Sequence, residues 1–313
     1  MSAGILFPGQ GSQFVGMGAD LFDSRDDLLG QRADAILGLN LRDLCLNGPE
    51  EELTSTENAQ PALFALSFAL WDTMVGMGAA VPSGAAGHSL GEYTALTAAG
   101  VFDFDTALSI VALRGRAMAR AAGQAESGMA ALIGADRASA EEISRTRRES
   151  GGRLQVANVN APGQVVVAGS KDDIEWLVSN AGDLGVRRAI PLAVSGAFHS
   201  EFMEPAREEL ASVLVSAEIG APRFPVWSNT TGRQHNSDGV RHLLERQLTE
   251  PVLFLDSLLD MSAGGIDTFV HVGPGDVTGG LARRTVDGAS VLIVSEIGDI
   301  PAALEAVGTM VES

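Results

Sequence analysis

The chain has 313 residues, of which 45% are hydrophobic and 5% aromatic, so it can build a core mainly from aliphatic side chains. Its formal net charge of −19 argues against nucleic acid or an anionic membrane as a partner, and its single cysteine excludes an internal disulfide. The N-terminus shows no signal-peptide pattern. The most apolar window, 61–81, contains Asp72, so we expect a buried helix there, no membrane span and a cytoplasmic location.

The first third of the chain alternates segments typical of strands and helices. Ile5-Leu6-Phe7 predicts a buried strand that leads into a glycine-rich loop at 8–13. A second short strand is predicted at 79–81. Helices are predicted at 61–74, 92–99 and 105–122.

From Gly128 onward the pattern changes to shorter segments. Their predicted order is strand, helix, strand, strand, helix, strand, at 129–133, 139–149, 154–160, 164–168, 172–181 and 186–192. This βαββαβ order is that of a ferredoxin-like unit, which we interpret as an inserted subdomain. After residue 195 the predicted elements are a helix, a strand, a helix and a strand, at 200–216, 225–228, 240–248 and 268–272. Strands that alternate with helices in the outer parts predict a parallel sheet covered on both faces.

The segment Gly87-His88-Ser89-Leu90-Gly91 is the strongest chemical signal in the chain. Gly-x-Ser-x-Gly between a strand and a helix is typical of a nucleophile elbow, a tight turn that exposes the serine oxygen. The same turn leaves the backbone N–H of Leu90 directed at whatever the serine attacks. The alternative is a serine that only caps the following helix. We interpret Ser89 as the nucleophile.

A serine nucleophile needs a base, and the chain has five histidines. His88 adjoins the serine and is interpreted as structural, because consecutive residues on such a turn point apart. His235 and His242 lie among polar and charged residues and are expected in solvent. His271 is predicted to be a core histidine, although the loop after it keeps it a weak candidate. His199 lies in a loop of small residues before a helix, and the residues alone leave its role open.

Three separated stretches carry a family resemblance. They are Phe7-Pro8-Gly9-Gln10-Gly11-Ser12-Gln13, Gly87-His88-Ser89-Leu90-Gly91-Glu92-Tyr93 and Val272-Gly273-Pro274-Gly275. Together they resemble the acyltransferase family of bacterial fatty-acid synthesis, whose members transfer malonyl from coenzyme A to acyl carrier protein. The resemblance implies an α/β-hydrolase-like core with a parallel sheet at 1–126 and 195–313, and a ferredoxin-like inserted subdomain at 127–194.

The resemblance also implies the groups that act around the nucleophile. His199 is the base, and the backbone carbonyl of Gln247 orients it in place of a carboxylate. A neutral acceptor stabilises imidazolium less than a carboxylate does, which suits a reversible transferase. The backbone N–H of Gln10 joins that of Leu90 in an oxyanion hole; the alternative for the Gln10 loop is a simple turn.

The acyl pocket is implied in the same way. By composition alone Arg114 would be a surface arginine, but the resemblance places it on the free carboxylate of malonyl, where its planar fork binds two oxygens at once. Phe198 stands where relatives that select methylmalonyl tend to carry serine, so it would leave little room for an α-methyl group. Ordinary core packing is the alternative for Phe198. Asn160 matches a polar position that lines the cleft.

The implied reaction is ping-pong acyl transfer through a malonyl-serine ester. Its substrates are malonyl-CoA and the phosphopantetheine thiol of holo acyl carrier protein, and neither a metal nor a tightly bound cofactor is expected. We expect a monomer, as is usual in the family. An acidic carrier protein needs a local basic patch, for which the insertion offers arginines that equally fit a solvated surface: Arg145, Arg147, Arg148, Arg187 and Arg188.

Other functions fit part of the same pattern. A transferase that serves polyketide synthesis or malonate decarboxylation would share every site residue. A serine hydrolase such as an editing thioesterase would share Ser89, but Arg114 and the absence of an obvious triad acid argue against it. A non-catalytic protein that binds carrier protein would not need the intact pair of Ser89 and His199.

Overall fold

The computed structural model describes residues 2–236 and 239–309. Within these residues there are nine strands: β1 (Ala3–Phe7), β2 (Gly84–Gly87), β3 (Ser127–Ile133), β4 (Leu154–Ala161), β5 (Gln164–Ser170), β6 (Arg188–Pro191), β7 (Val226–Trp227), β8 (Thr268–Val272) and β9 (Ser290–Val294). They form two sheets. The first has five strands in the order β7-β2-β1-β8-β9, and the second has four in the order β4-β5-β3-β6.

The helices of the same residues surround these sheets. Their bounds are α1 (Leu21–Ser24), α2 (Asp26–Leu29), α3 (Gln31–Leu37), α4 (Leu41–Asn47), α5 (Glu50–Thr54), α6 (Thr56–Gly76), α7 (Gly91–Ala98), α8 (Phe104–Ala122), α9 (Arg137–Glu149), α10 (Lys171–Asn180), α11 (Glu204–Leu214), α12 (Val240–Arg246), α13 (Phe254–Ala263), α14 (Val277–Thr285) and α15 (Ile300–Val307). Short 3-10 helices lie at Glu201–Met203 and Ile297–Asp299. None of the helices in the described ranges is both long and apolar enough to cross a membrane.

The five-stranded sheet is parallel throughout, as predicted. Strand β1 is buried along its whole length because helices cover both of its faces. Successive side chains of a strand point to opposite faces. Ile5 therefore packs in the cluster that contains α6 and α8, while Leu6 packs with α13 and α14.

The four-stranded sheet is antiparallel, and its elements follow the order β3-α9-β4-β5-α10-β6. Leu132 of β3 packs under α9 and α10, whereas Met129 points the other way into the main core. Strand β4 is tied to the rest of the protein through Val252. The N–H of Val159 donates to the Val252 carbonyl at 2.8 Å, and the Val252 N–H donates to the Ala157 carbonyl at 2.9 Å.

The strand predicted at 79–81 is wrong, because the strand before the elbow is β2. Pro82 follows the predicted segment and has no N–H for a ladder, and Ala79 forms only one isolated bridge, to Thr309. Gly84 opens β2 for a reason of packing: a Cβ there would lie 2.3 Å from Cζ3 of Trp227. The sequence predicts neither β9 nor α13, α14 and α15, and it indicates helix after the loop at 8–13 without giving the bounds of the short helices before residue 55. Such short elements depend on tertiary packing more than on local pattern.

Two glycines permit the turn between β2 and α7. A Cβ on Gly87 would lie 1.9 Å from the carbonyl carbon of Gly91, and one on Gly91 would lie 2.3 Å from the Phe7 carbonyl oxygen. Both contacts are with backbone, which cannot rotate away. The spacing of the Gly-x-Ser-x-Gly motif is thus a direct consequence of how closely β1, β2 and α7 approach one another.

We predict that Gly87→Ala lowers the free energy of unfolding by roughly 3 kcal/mol or more, because the backbone of α7 would have to shift. Gly280 in α14 is the matched control, since nothing lies within 4 Å of a Cβ built there. Gly280→Ala should raise stability by about 0.5–1 kcal/mol, because alanine is the better helix former. Urea unfolding measures both. Equal stability of Gly87→Ala and wild type would contradict the packing argument.

Candidate active site

A cleft of about 230 Å³ lies where the elbow faces strand β4 and helix α14. It is lined by seven of the eight predicted site residues: Gln10, Ser89, Leu90, Arg114, Asn160, Phe198 and His199. The eighth, Gln247, is fully buried behind the cleft and contacts Ser89, Arg114 and His199. Residues more than 230 positions apart in sequence are therefore brought together in one site by the fold.

Ser89 occupies the left-handed region of backbone conformation, with φ of 51°. A non-glycine residue there is strained and needs support from its surroundings. Support comes from both sides of the residue. The Ser89 N–H donates to Oδ1 of Asn229 at 2.6 Å, and the Ser89 carbonyl accepts from Nε2 of Gln247 at 2.9 Å. Asn229 also donates to the Gly87 carbonyl at 2.7 Å, so it spans the turn.

His199 contacts the serine hydroxyl. Its Nε2 lies 2.8 Å from Oγ of Ser89, and its Nδ1 lies 2.7 Å from the backbone carbonyl oxygen of Gln247. A carbonyl can only accept, so Nδ1 carries the proton and Nε2 is left as the acceptor for the hydroxyl. Burial, together with the positive charge of Arg114, lowers the pKa of His199 to about 3. The imidazole is therefore neutral at pH 7 and able to take a proton.

Two residues that line the cleft could supply backbone N–H donors. They are Leu90, the first residue after the nucleophile, and Gln10, in the loop after β1. Neither N–H has an acceptor among residues 2–236 and 239–309. Donors held in this way are suited to bind a negative oxygen that develops next to Ser89.

Arg114 is buried in α8, with 1% of its surface exposed. Its Nη2 donates to Oγ of Ser89 and to Oε1 of Gln247, both at 3.0 Å, and its Nη1 donates to Oε1 of Gln60. In the part of the chain that the structure describes, no carboxylate pairs with it, and its Nε has no acceptor. Burial lowers the pKa of this guanidinium. A buried cation that faces a cleft and has only neutral partners is a site for an anion.

The remaining cleft residues have simpler surroundings. Oδ1 of Asn160 lies 2.8 Å from Nε2 of His88, so this pair forms one wall. Burial lowers the pKa of His88, which keeps it neutral. Phe198, the residue before the base, is largely buried and lines the cleft.

Two of the other histidines match their predictions and one does not. His242 is exposed, and His271 is a core histidine whose Nδ1 contacts Oγ1 of Thr278 at 2.6 Å. Burial lowers the pKa of His271 to about 4. The prediction that His235 lies in solvent is wrong: its side chain is 2% exposed and its Nε2 lies 2.6 Å from Oε1 of Glu92. The turn that carries His235 folds back under the elbow, which its polar sequence does not reveal.

Sequence analysis missed four residues that support the site: Gln60, Glu92, Asn229 and His235. A signal existed for two of them. Glu92 is the only charged residue of α7, a helix buried along its whole length. Asn229 lies two residues after the end of β7, at the carboxyl edge of the parallel sheet, where functional groups of α/β folds gather. No group of three or more metal-binding side chains is found in residues 2–236 and 239–309.

Comparison with known proteins identifies the family of the chain. The profile of the acyl transferase domain family matches residues 5–300. This chain belongs to that family.

Named members of the family cover nearly the whole chain. This chain is 40% identical to the malonyl CoA-acyl carrier protein transacylase of Bacillus subtilis, over 96% of each chain. The acyl-carrier-protein-S-malonyltransferase of Bartonella henselae superposes with a TM-score of 0.94 at 37% identity, covering 99% of this chain and 100% of that one. A malonyl-transacylase solved in complex with its type II PKS acyl-carrier protein superposes with a TM-score of 0.92 at 38% identity, covering 98% and 100%.

The buried histidines make a prediction about stability. Burial lowers the pKa of His88, His199 and His271, the latter two to about 3 and about 4. The unfolded chain binds protons at these sites below about pH 6.5, where the folded chain does not, so the free energy of unfolding decreases as the pH is lowered below about 6.5. Each neutral histidine contributes up to about 1.4 kcal/mol per pH unit between its unfolded and folded pKa values.

His271→Gln should therefore reduce the slope of unfolding free energy against pH by the contribution of about one proton, between about pH 4 and pH 6.5. Urea unfolding at a series of pH values measures the slope. His242→Gln is the control, because that imidazole is exposed and hydrated in the folded and unfolded states alike. Identical slopes for His271→Gln and His242→Gln would contradict the burial argument.

Proposed function

We propose that this acyltransferase moves the malonyl group from malonyl-CoA to the phosphopantetheine thiol of acyl carrier protein, and so supplies fatty-acid synthesis. One observation carries the choice of substrate: Nη2 of the buried Arg114, which pairs with no carboxylate among the described residues, lies 3.0 Å from Oγ of Ser89. A substrate carboxylate beside the thioester would supply the missing anion. The names of the relatives in Bacillus subtilis and Bartonella henselae, and the solved complex with an acyl-carrier protein, support both substrates.

In the first half-reaction Ser89 attacks the thioester carbonyl of malonyl-CoA. His199 accepts the hydroxyl proton on Nε2, across the 2.8 Å contact, while its Nδ1–H stays on the Gln247 carbonyl. The backbone N–H groups of Leu90 and Gln10 bind the tetrahedral oxyanion. Collapse of this intermediate expels the coenzyme A thiolate, which takes the proton from His199, and leaves malonyl as an ester on Ser89.

In the second half-reaction the phosphopantetheine thiol enters the emptied cleft. His199 Nε2 removes the thiol proton, and the sulfur attacks the ester carbonyl. The same two N–H groups bind the second oxyanion, and Ser89 leaves with the proton returned by His199. Both steps use only side chains and backbone of this protein, so we propose that the reaction requires neither a metal nor a cofactor.

Arg114 would select the acyl group and adjust the base at the same time. A malonyl carboxylate on its guanidinium replaces neutral contacts with a bidentate ion pair. That anion also cancels part of the positive potential that lowers the pKa of His199, so the base becomes stronger when the correct substrate is bound. Acetyl groups offer no such anion. The ring of Phe198 beside the base would disfavour an α-methyl group, and Asn160 would line the path of the substrate.

We further propose that the fold combines an α/β-hydrolase-like core, 1–126 and 195–313, with a ferredoxin-like subdomain, 127–194. The strand order β4-β5-β3-β6 and the two helices on one face of that sheet support the subdomain. The five parallel strands and the elbow after β2 support the core.

The subdomain also bears on carrier docking. Arg145 and Arg147 are paired with carboxylates, whereas Arg187 and Arg188 are exposed, so the latter two fit better as contacts for an acidic carrier. The monomeric state and the cytoplasmic location stay predictions.

The first experiment is intact-protein mass spectrometry after mixing with malonyl-CoA. Wild type should acquire one malonyl group and lose it on addition of holo acyl carrier protein, which becomes loaded. Ser89→Ala should acquire none, because its methyl group cannot attack the thioester. An adduct that is released to water without loading the carrier would indicate a hydrolase. No adduct on wild type, with retained carrier binding, would indicate a non-catalytic binder.

The second experiment compares malonyl and acetyl transfer by Arg114→Ala. Loss of a buried ion pair costs about 2–5 kcal/mol, so malonyl transfer should fall by roughly 1.5 to 3.5 orders of magnitude. Acetyl transfer should be retained or gained, because no unpaired cation is left in the pocket. Arg116→Ala, an exposed position on the same helix, is the control and should alter neither rate. Unchanged malonyl selectivity in Arg114→Ala would contradict the proposed pocket.

A further inference from the structure

A buried acidic side chain lies directly beneath the nucleophile and has no part in the steps above. Glu92, in the first turn of α7, is fully buried. Its Oε1 lies 2.6 Å from Nε2 of His235, whose side chain is also buried. A buried carboxylate is costly to keep unless several donors satisfy it. The residues that donate hydrogen bonds to Glu92 are therefore the residues that its carboxylate holds in place.

The second oxygen of Glu92 accepts from two residues that both hold the serine. Gln247 donates to Oε2 through its side-chain Nε2 at 2.6 Å, and Asn229 donates through its backbone N–H at 3.1 Å. Gln247 uses the same side-chain nitrogen for the Ser89 carbonyl, and Asn229 accepts the Ser89 N–H. One carboxylate oxygen therefore supports the two groups that fix the strained peptide units of Ser89.

Oε2 of Glu92 also influences the position of His199, and it does so through Gln247. Gln247 presents its backbone carbonyl to Nδ1 of His199 at 2.7 Å, while its side chain is held between Glu92 and the Arg114 guanidinium. An amide anchored at its oxygen by a cation and at its nitrogen by an anion has one orientation. The place of that side chain limits where the backbone of Gln247, and hence the imidazole, can lie.

We infer that Glu92 is a positioning residue that, with His235 behind it, sets the geometry of both Ser89 and His199. This inference rests on the proposed function, because it compares Glu92 with the acid of a catalytic triad. One residue, Gln247, lies between this acid and the histidine. In a triad the carboxylate contacts Nδ1 of the base directly. Here Glu92 reaches the base through Gln247, so its contribution is to position groups rather than to receive a proton.

Two substitutions of Glu92 distinguish an effect of the position of its side chain from an effect of its charge. Glu92→Gln keeps the length of the side chain, and its amide oxygen can still accept from Gln247 and Asn229 while its NH₂ faces His235. Glu92→Asp keeps the charge but withdraws the carboxylate by one methylene, so it cannot reach both donors. We expect acylation by malonyl-CoA to fall by less than about tenfold in Glu92→Gln and by about a hundredfold in Glu92→Asp, the loss typical of a displacement of ~1 Å at a reacting group.

A spectroscopic measurement tests the geometry without substrate. The hydrogen bond from Nδ1–H of His199 should give a downfield proton NMR resonance, assigned by its absence from His199→Ala. We expect the resonance to persist in Glu92→Gln and to be lost or shifted in Glu92→Asp. If wild type shows the resonance but is not acylated, the proposed function fails while the positioning inference stands on the spectra.

Asp173 provides a matched control. It is a buried carboxylate with three donors, Arg147, Ser170 and the backbone of Arg153, and it lies in the four-stranded subdomain outside the cleft. Asp173→Asn should lower thermal stability and leave acylation and the resonance unchanged. The inference is overturned if Glu92→Gln loses more activity than Glu92→Asp, which would assign the effect to charge. It is equally overturned if both variants keep wild-type acylation and the resonance.

Discussion

The left-handed backbone of Ser89 is the constraint on which the rest of the site depends. A non-glycine residue in this conformation is strained by about 1–3 kcal/mol and persists only where its surroundings leave it no alternative. Gly87 and Gly91 allow β1, β2 and α7 to approach within backbone contact, and Asn229 and Gln247 hold the two peptide units of the serine. His199 shares the conformation, with φ of 55°. The fold thus holds both the nucleophile and the base in backbone conformations that they would not keep in an unfolded chain.

The charge inside the cleft is opposite in sign to the net charge of the whole molecule. The chain carries a net charge of −19, yet its cleft contains the buried guanidinium of Arg114 with neutral oxygens around it. Glu92 is a buried anion whose charge acts on Arg114, and the amide of Gln247 stands between the two side chains. This separation leaves the cation available for a substrate anion. It also keeps His199 neutral, because burial and the adjacent positive charge both disfavour a second cation.

The degree to which sequence predicted the site varies with the type of contact. The elbow, its serine and the Leu90 N–H follow from local pattern, because the steric demands of the turn act over five residues. The partners of His199 and Arg114 do not follow from local pattern. They needed family resemblance, and even this omitted Asn229 and the pair of Glu92 and His235, whose contacts join segments more than 130 residues apart. A polar turn such as that of His235 is predicted to be in solvent unless its tertiary neighbours are known.

By itself the sequence determined what acts over short distances: the turn and helix around Ser89, the order of elements between residues 127 and 194, and the parallel character of a sheet whose strands alternate with helices. Tertiary structure alone decided which polar groups are buried together. The strand at 84–87 is an example, since Gly-Ala-Ala-Gly has little strand preference and pairs only because β1 and β7 enclose it. The arrangement of Glu92, Gln247, Asn229 and His235 is another. Burial and hydrogen-bond geometry depend on residues distant in sequence, so no local pattern carries them.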